Sequence, residues 1–87
     1  MLKAVEALVN HEVKKTGNHS RESLGDYCEK FIYHWTPICV VNYSNRTFYT
    51  DNDGFNTSST NRAINSYRYY FSNCGYTQVE KGEFTIE

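Results

Sequence analysis

The stretch YHWTPICVV, residues 33–41, is the densest apolar segment of this chain and decides how its fold is read. It carries His34, Trp35, Cys39 and the only proline, Pro37. Aromatic and β-branched residues dominate the surrounding residues 31–43, which is typical of a β-strand. We therefore predict a core strand here, with Pro37 as a local disturbance because proline lacks an N–H for the ladder.

Turn signals and helical periodicity follow this strand towards the C-terminus. The residues YSNRT predict a turn into a second strand, which gives a β-hairpin over residues 31–50. The residues DNDG form a second turn signal. Apolar side chains recur at helical spacing over residues 58–74, and Gly75 is placed to end that helix. A last strand is predicted within residues 76–87.

The N-terminal side predicts a helix and a loop. Apolar residues at helical spacing indicate a first helix over residues 2–15, with Gly17 as its left-handed cap. Gly25 interrupts the pattern that follows, so residues 18–30 are expected to form a loop with one short helical turn. The resulting order, α-β-β-α-β, predicts an α+β fold. It consists of a small antiparallel sheet of about three strands packed against two helices, in a single domain over residues 1–87.

Composition limits the classes of function. With 87 residues and a net charge of −1, the chain has no overall basic excess suited to polyanions. Eight tyrosines supply rigid contact area that suits protein recognition. No signal peptide or membrane-spanning stretch is visible, and three cysteines, an odd number, argue against a disulfide framework. We therefore expect reduced thiols and a cytoplasmic location.

The soft metal ligands of the chain raise the possibility of structural zinc. Three thiolates and one imidazole make a closed tetrahedral site, and the candidates are Cys28, His34, Cys39 and Cys74, with His11 or His19 as substitutes for His34. A metal would help so small a core. Against it, no C-x-x-C pair is present and the cysteines span residues 28–74. The alternative is that the thiols are ordinary core residues.

The second predicted helix carries the best candidate binding face. Opposite its apolar stripe lie Arg62, Asn65, Arg68 and Tyr69. Arginine and tyrosine dominate protein interfaces, so we favour a protein partner and do not expect direct contact with nucleic acid. The alternative is a small DNA- or RNA-binding accessory domain that uses this helix face. No cysteine, histidine or carboxylate lies in a recognisable catalytic context, so we expect a protein that is not an enzyme.

The residues YHWTPICVVNYSNRTFYTDNDGFNTSSTNRAI, 33–64, resemble a family of small phage- and prophage-encoded domains. In that family a strand of the form Y-x-T-P-I-A leads through a hairpin to a Y-S-x-T-T-S segment that opens a helix. Thr36, Pro37 and Ile38 match the first motif, in which Cys39 replaces the small residue. Phe55, Ser58, Ser59 and Thr60 approximate the second motif. The resemblance covers residues 31–73. It implies a phage-encoded inhibitor of host defence, and specifically an anti-CRISPR protein that binds a CRISPR effector nuclease.

Overall fold

A computed structural model describes residues 1–86 of the chain. Its elements, in chain order, are helix α1 (Lys3–Val9), strands β1 (Lys15–Thr16), β2 (His19–Ser23), β3 (Cys28–Tyr33), β4 (Thr36–Asn42) and β5 (Thr47–Thr50), helix α2 (Ser58–Asn73), strand β6 (Thr77–Gln78) and a 3₁₀ turn (Lys81–Glu83). The strands form one sheet in sequential order, antiparallel except for the parallel pair β5–β6. The predicted three-stranded antiparallel sheet and the order α-β-β-α-β are therefore wrong. The chain is α+β, with a mixed six-stranded sheet.

Both helices share one core with one face of the sheet. The buried apolar side chains come from α1, from β3, β4 and β5, and from the inner face of α2; they are Val5, Leu8, Val9, Phe31, Ile38, Cys39, Val41, Phe48, Ala63, Ile64, Tyr67 and Phe71. Burial of this apolar surface is the main force that holds the layers together. Within residues 1–86, no helix is long and apolar enough to span a membrane.

The first helix is shorter than predicted, because it ends at Val9 and not at residue 15. His11 takes a left-handed conformation, with φ of 58°. Its N–H donates to the carbonyl of Leu8 at 3.0 Å, and the N–H of Glu12 donates to the carbonyl of Ala7 at 3.0 Å. This bond pair is a Schellman motif, which closes a helix and usually places glycine where His11 lies. The sequence offered Gly17 for that role, but Gly17 belongs to the β1–β2 turn.

The loop predicted over residues 18–30 is wrong for most of its length. Strand β2 lies there and pairs along its whole length with β3, from His19–Tyr33 to Ser23–Glu29. None of the residues of β2 is fully buried, so this strand accommodates polar side chains. A strand outside the core carries no apolar alternation, so hydrophobic patterning does not reveal it.

The single strand predicted over residues 31–43 is in fact two strands. β3 ends at Tyr33 and β4 begins at Thr36, and these two residues pair directly across the hairpin. The connecting residues, His34 and Trp35, have φ of 49° and 70°. Positive φ at both positions is the signature of a type I′ turn, the two-residue turn that fits the twist of an antiparallel pair.

A β-bulge in β4 lies just beyond this turn and next to Pro37. Ile32 pairs with Pro37, whereas Phe31 pairs with Cys39, so Ile38 is the extra residue. As a result both Ile38 and Cys39 face the core, with exposures of 1% and 0%. Strict alternation would have placed one of them on the outer face. The bulge therefore lets two consecutive apolar residues fill the core.

Helix α2 matches its prediction closely. Its N-cap is Thr57, whose hydroxyl accepts a hydrogen bond from the N–H of Thr60 at 3.3 Å. The C-terminal strand predicted within residues 76–87 reduces to the two residues of β6 in the described chain. After β6 the chain crosses the outer face of the sheet, where Phe84 contacts the ring of Tyr49 and the carbonyl of Thr85 accepts from Asn42 at 2.9 Å.

A buried carboxylate joins the end of α1 to the sheet. Glu29 is 6% exposed, and its oxygens lie 2.8 Å from His11 Nε2 and 3.2 Å from Arg21 Nη1. The hydroxyl of Tyr43 donates to the same carboxylate at 2.5 Å. Burial, followed by this bond to Glu29, raises the pKa of Tyr43 above its ordinary value. Because a buried charge without partners is costly, Glu29 depends on these three groups, and they depend on it.

We predict that Glu29→Gln lowers the free energy of unfolding by about 2–3 kcal/mol, because it leaves the guanidinium of Arg21 without its charged partner. Glu22→Gln is the matched control. Glu22 lies 3.8 Å from Lys30 in an exposed pair, and its loss should change stability by no more than about 0.5 kcal/mol. Urea unfolding of both variants measures the difference. Equal effects would mean that the carboxylate of Glu29 is not a structural anchor.

Candidate functional site

Trp35 is the most exposed large apolar residue among residues 1–86, with 92% of its surface accessible. It lies at the outer end of the β3–β4 hairpin, beside His34, which is also exposed. Phe55, in the loop before α2, is 57% exposed and lies across a cleft from this turn. We call these three residues the tip surface. Exposed aromatic rings grouped in this way mark interaction sites on monomeric proteins.

The backbone conformation of Trp35 makes its exposure more informative. Positive φ is a genuine outlier for a bulky residue, and type I′ turns strongly prefer Asn-Gly. A non-glycine residue in this region costs on the order of 1–3 kcal/mol. No packing of the exposed indole repays that cost within the described chain. Strain of this kind is concentrated at functional sites, so Trp35 is the leading candidate for a functional residue.

The turn is held in one position by its neighbours. The N–H of His34 donates to the carbonyl of Asn18 at 3.0 Å, which ties the β3–β4 turn to the β1–β2 turn. The ring of Tyr33 lies 4.6 Å from the ring of His19 on one side and 4.3 Å from that of His34 on the other. A fixed turn holds the backbone of Trp35 in one conformation, which lowers the entropic cost of binding.

A cleft of about 320 Å³ opens between the turn and the start of α2. We call it the turn cleft. Its lining is aromatic, aliphatic and hydroxyl-bearing: Tyr33, His34, Thr36, Ile38, Asn52, Phe55, Thr57, Ser59 and Thr60. No lysine, arginine, aspartate or glutamate is among these residues. Such a site suits an uncharged group with an apolar body and one polar atom, because the walls are apolar and the hydroxyls can pair with that atom.

A second groove, of which Trp35 forms part, lies over the outer face of β1–β4. It has a volume of about 390 Å³, and its lining includes Lys15, Lys30, Glu22, Trp35 and Pro37. The side chain of Lys30 lies 3.8 Å from Glu22. Positive and negative groups are therefore mixed, and the groove does not form a basic track for nucleic acid.

The four predicted metal ligands do not come together. Cys39 faces the core, as does Phe31, with which it pairs on β3. Cys28 lies three residues before Phe31 on the same strand and therefore points to the opposite face of the sheet. Cys74 is exposed at the C-cap of α2, and His34 is exposed in the turn. Burial raises the pKa of the Cys39 thiol well above its ordinary range, which disfavours the thiolate that zinc needs.

Neither His11 nor His19 completes such a site. His11 contacts Glu29, and the ring of His19 packs against Tyr33. Within residues 1–86, no group of three or more histidine, cysteine or carboxylate side chains is arranged to hold a metal ion. The described residues therefore do not form the predicted zinc site.

The predicted binding face of α2 does exist as a surface. Arg62, Asn65, Arg68 and Tyr69 are all exposed, and Arg68 Nη1 donates to Asn65 Oδ1 at 3.3 Å. These side chains are free to contact a partner, but none of them is in an unusual conformation. The stronger candidate, Trp35, was missed because the aromatic stretch reads as one continuous strand. The dipeptide His34-Trp35 is not one of the sequences, such as Asn-Gly, that signal a two-residue turn.

Comparison with known proteins yields no relative: no protein-family model matches the chain, and no curated protein or solved structure shows significant similarity to it. The resemblance to phage-encoded domains accordingly rests on the motifs quoted from the sequence.

We predict that His34→Asn/Trp35→Gly raises the free energy of unfolding by about 1 kcal/mol, because Asn-Gly adopts a type I′ turn without strain. Urea unfolding measures the gain. Arg46→Gly is the control: Arg46 also has positive φ, 58°, but its guanidinium lies over the ring of Tyr76. Its replacement should therefore gain less. A destabilised turn variant would show that the wild-type turn carries no net strain.

Protonation of His19 should also lower the stability of the chain in mild acid. Burial, followed by the charge of His34, lowers the pKa of His19 below its ordinary value of 6.5. The unfolded state therefore binds the proton more readily, and stability is lost as the pH falls from about 6.5 through the folded-state pKa. In urea unfolding at pH 7.5 and 5.5, His19→Phe should lose less stability than the wild type. An identical loss would contradict this role of His19.

Proposed function

We propose that this chain is a phage-encoded, non-enzymatic inhibitor that binds a host defence protein through its tip surface. The observation that carries the proposal is Trp35, an almost fully exposed indole held in a strained turn. The class of target follows from the resemblance of residues 31–73 to phage and prophage domains, which favours a CRISPR effector nuclease. The site of action would be the cytoplasm of the host cell.

The chemistry of the tip surface supports a protein partner. Tryptophan is the residue most enriched among binding hot spots, and burial of one indole removes about 150–250 Å² from water. Phe55 adds a second exposed ring, and the turn cleft, which is lined by Phe55 and His34, can receive a side chain of the target. A rigid anchor beside a pocket is the arrangement that protein interfaces use at their centres.

The alternative function is that of a small DNA- or RNA-binding accessory domain. It is supported by the exposure of Arg62, Asn65, Arg68 and Tyr69 on one face of α2. Phosphate contacts make affinity fall steeply with salt, so a salt titration of binding to labelled single- and double-stranded oligonucleotides separates the two functions. The same helix face could instead extend the protein interface beyond the tip surface.

We predict that inhibition of the target nuclease saturates near one equivalent of this chain, because a binding inhibitor acts by occupancy. Trp35→Ala should weaken binding by at least about 2 kcal/mol, or roughly 30-fold, as expected for a central anchor. Tyr69→Ala removes an exposed aromatic ring from α2, where Tyr69 is 64% exposed, and is the control. Its effect should stay below about 1 kcal/mol. Nuclease cleavage assays and calorimetric titration measure both quantities.

Two results would contradict the proposal. Inhibition by strongly substoichiometric amounts of the chain would indicate turnover and therefore an enzyme. Full inhibition by Trp35→Ala together with loss of inhibition by Tyr69→Ala would move the interface from the tip surface to α2.

A further inference from the structure

We infer that residues 79–86 form a strap across the outer face of the sheet, and that this strap opens while the core stays closed. The strap begins directly after β6 and lies on the side of the sheet that α1 and α2 leave free. Its opening uncovers a second, smaller buried layer. The strap does not depend on the proposed function, because it concerns the chain without its target.

Two buried apolar side chains lie outside the core and form this second layer. Cys28 and Val40 are each 3% exposed, yet neither belongs to the core cluster. Val40 lies between Cys39 and Val41, which both face the core, so its side chain points to the outer face. Cys28 points to the same outer face. Small buried clusters apart from the main core typically lie under a long loop, so a segment outside the sheet must cover these two side chains.

The strap contacts the sheet next to both of them. The ring of Phe84 lies 5.0 Å from the ring of Tyr49, which pairs directly with Val40 on β4. The carbonyl of Thr85 accepts a hydrogen bond from Asn42 Nδ2 at 2.9 Å. Asn42 is in turn the direct pairing partner of the buried cysteine on β3. The strap is therefore the cover of the second layer.

The attachment of the strap is weak. Only Val79 and Phe84 are half-buried, and the other residues of the strap are exposed. The strap joins the sheet at Val79, whose N–H donates to the carbonyl of Phe48 at 2.8 Å. Its ion pair, from Lys81 Nζ to Asp51 Oδ2 at 3.4 Å, involves an exposed lysine, and such pairs contribute little. Segments with few buried contacts open locally at a lower free energy than the core, so the strap should open first.

An open strap enlarges the surface beside Trp35. Trp35, Lys30 and Pro37 line the groove on the outer face of the sheet, and Lys30 pairs directly with Val40. The groove and the second layer are therefore neighbouring parts of one sheet face. Opening joins them into one longer surface, whereas closure keeps Val40 and Cys28 from water. The strap thus controls how much of the outer face is accessible next to the tip surface.

The three cysteines of the chain test the strap, because they lie at three depths. Cys74 is exposed, Cys28 lies under the strap and Cys39 faces the core. Alkylation of the native chain with iodoacetamide, quenched at intervals and followed by peptide mass spectrometry, gives an initial rate for each thiol. We expect Cys74 to react first, Cys28 at an intermediate rate through opening of the strap, and Cys39 last, through global unfolding.

Phe84→Ala removes the ring that packs on Tyr49 and should therefore favour the open strap. The alkylation rate of Cys28 should rise about tenfold, while the rate of Cys39 should change by less than about twofold. Phe55→Ala is the matched control, because it removes a phenylalanine ring from the loop between β5 and α2 and should leave both rates unchanged. Circular dichroism confirms that each variant is folded.

Three results would overturn the strap. Equal rates for Cys28 and Cys39 in the wild type, or an equal rise of both in Phe84→Ala, would mean that the outer layer opens only together with the core. A Cys28 rate equal to that of Cys74 would mean that nothing covers this layer. The wild-type rates alone decide the matter if Phe84→Ala does not fold. Nuclease inhibition plays no part in these measurements, so the strap and the proposed function can fail separately.

Discussion

The two-residue turn between β3 and β4 is the constraint on which the rest of the structure depends. Tyr33 and Thr36 pair directly, so only His34 and Trp35 are available to reverse the chain. Both adopt positive φ, as in a type I′ turn, which fits the twist of the two strands. The cost is offset by the core beyond the turn, where the Ile38 bulge sends two consecutive side chains into the apolar layer beneath α1 and α2.

The same constraint creates the tip surface. A hairpin that must turn in two residues leaves their side chains at its outer end, and Trp35 is accordingly exposed. The bond from His34 to Asn18 and the stacked rings of His19 and Tyr33 prevent the turn from relaxing. At the other end of β3, Glu29 holds the end of α1 against the sheet. The contacts beneath the tip surface therefore hold the backbone of the turn in one conformation.

The sequence predicted the parts of the fold that periodicity encodes. Helix α2 was found because Ala63, Ile64, Tyr67 and Phe71 repeat along one face. The strands β1 and β2 were missed because residues outside the core carry no such repeat. The turn at His34 was missed for a different reason: tertiary pairing imposes it against local preference. The predicted metal ligands could not be judged from their spacing along the chain. Which thiol faces the core depends instead on the alternation of side chains around the Ile38 bulge.

Trp35 is almost fully exposed in the free chain, and we propose that a protein partner buries it. Acrylamide quenching of the single tryptophan tests this most directly. It is recorded for the dilute chain with and without saturating CRISPR effector nuclease, after the nuclease's own tryptophan emission has been subtracted. The account predicts strong quenching of the free chain and marked protection in the complex. A complex that forms and inhibits the nuclease while Trp35 remains as open to quenching as in the free chain would contradict it.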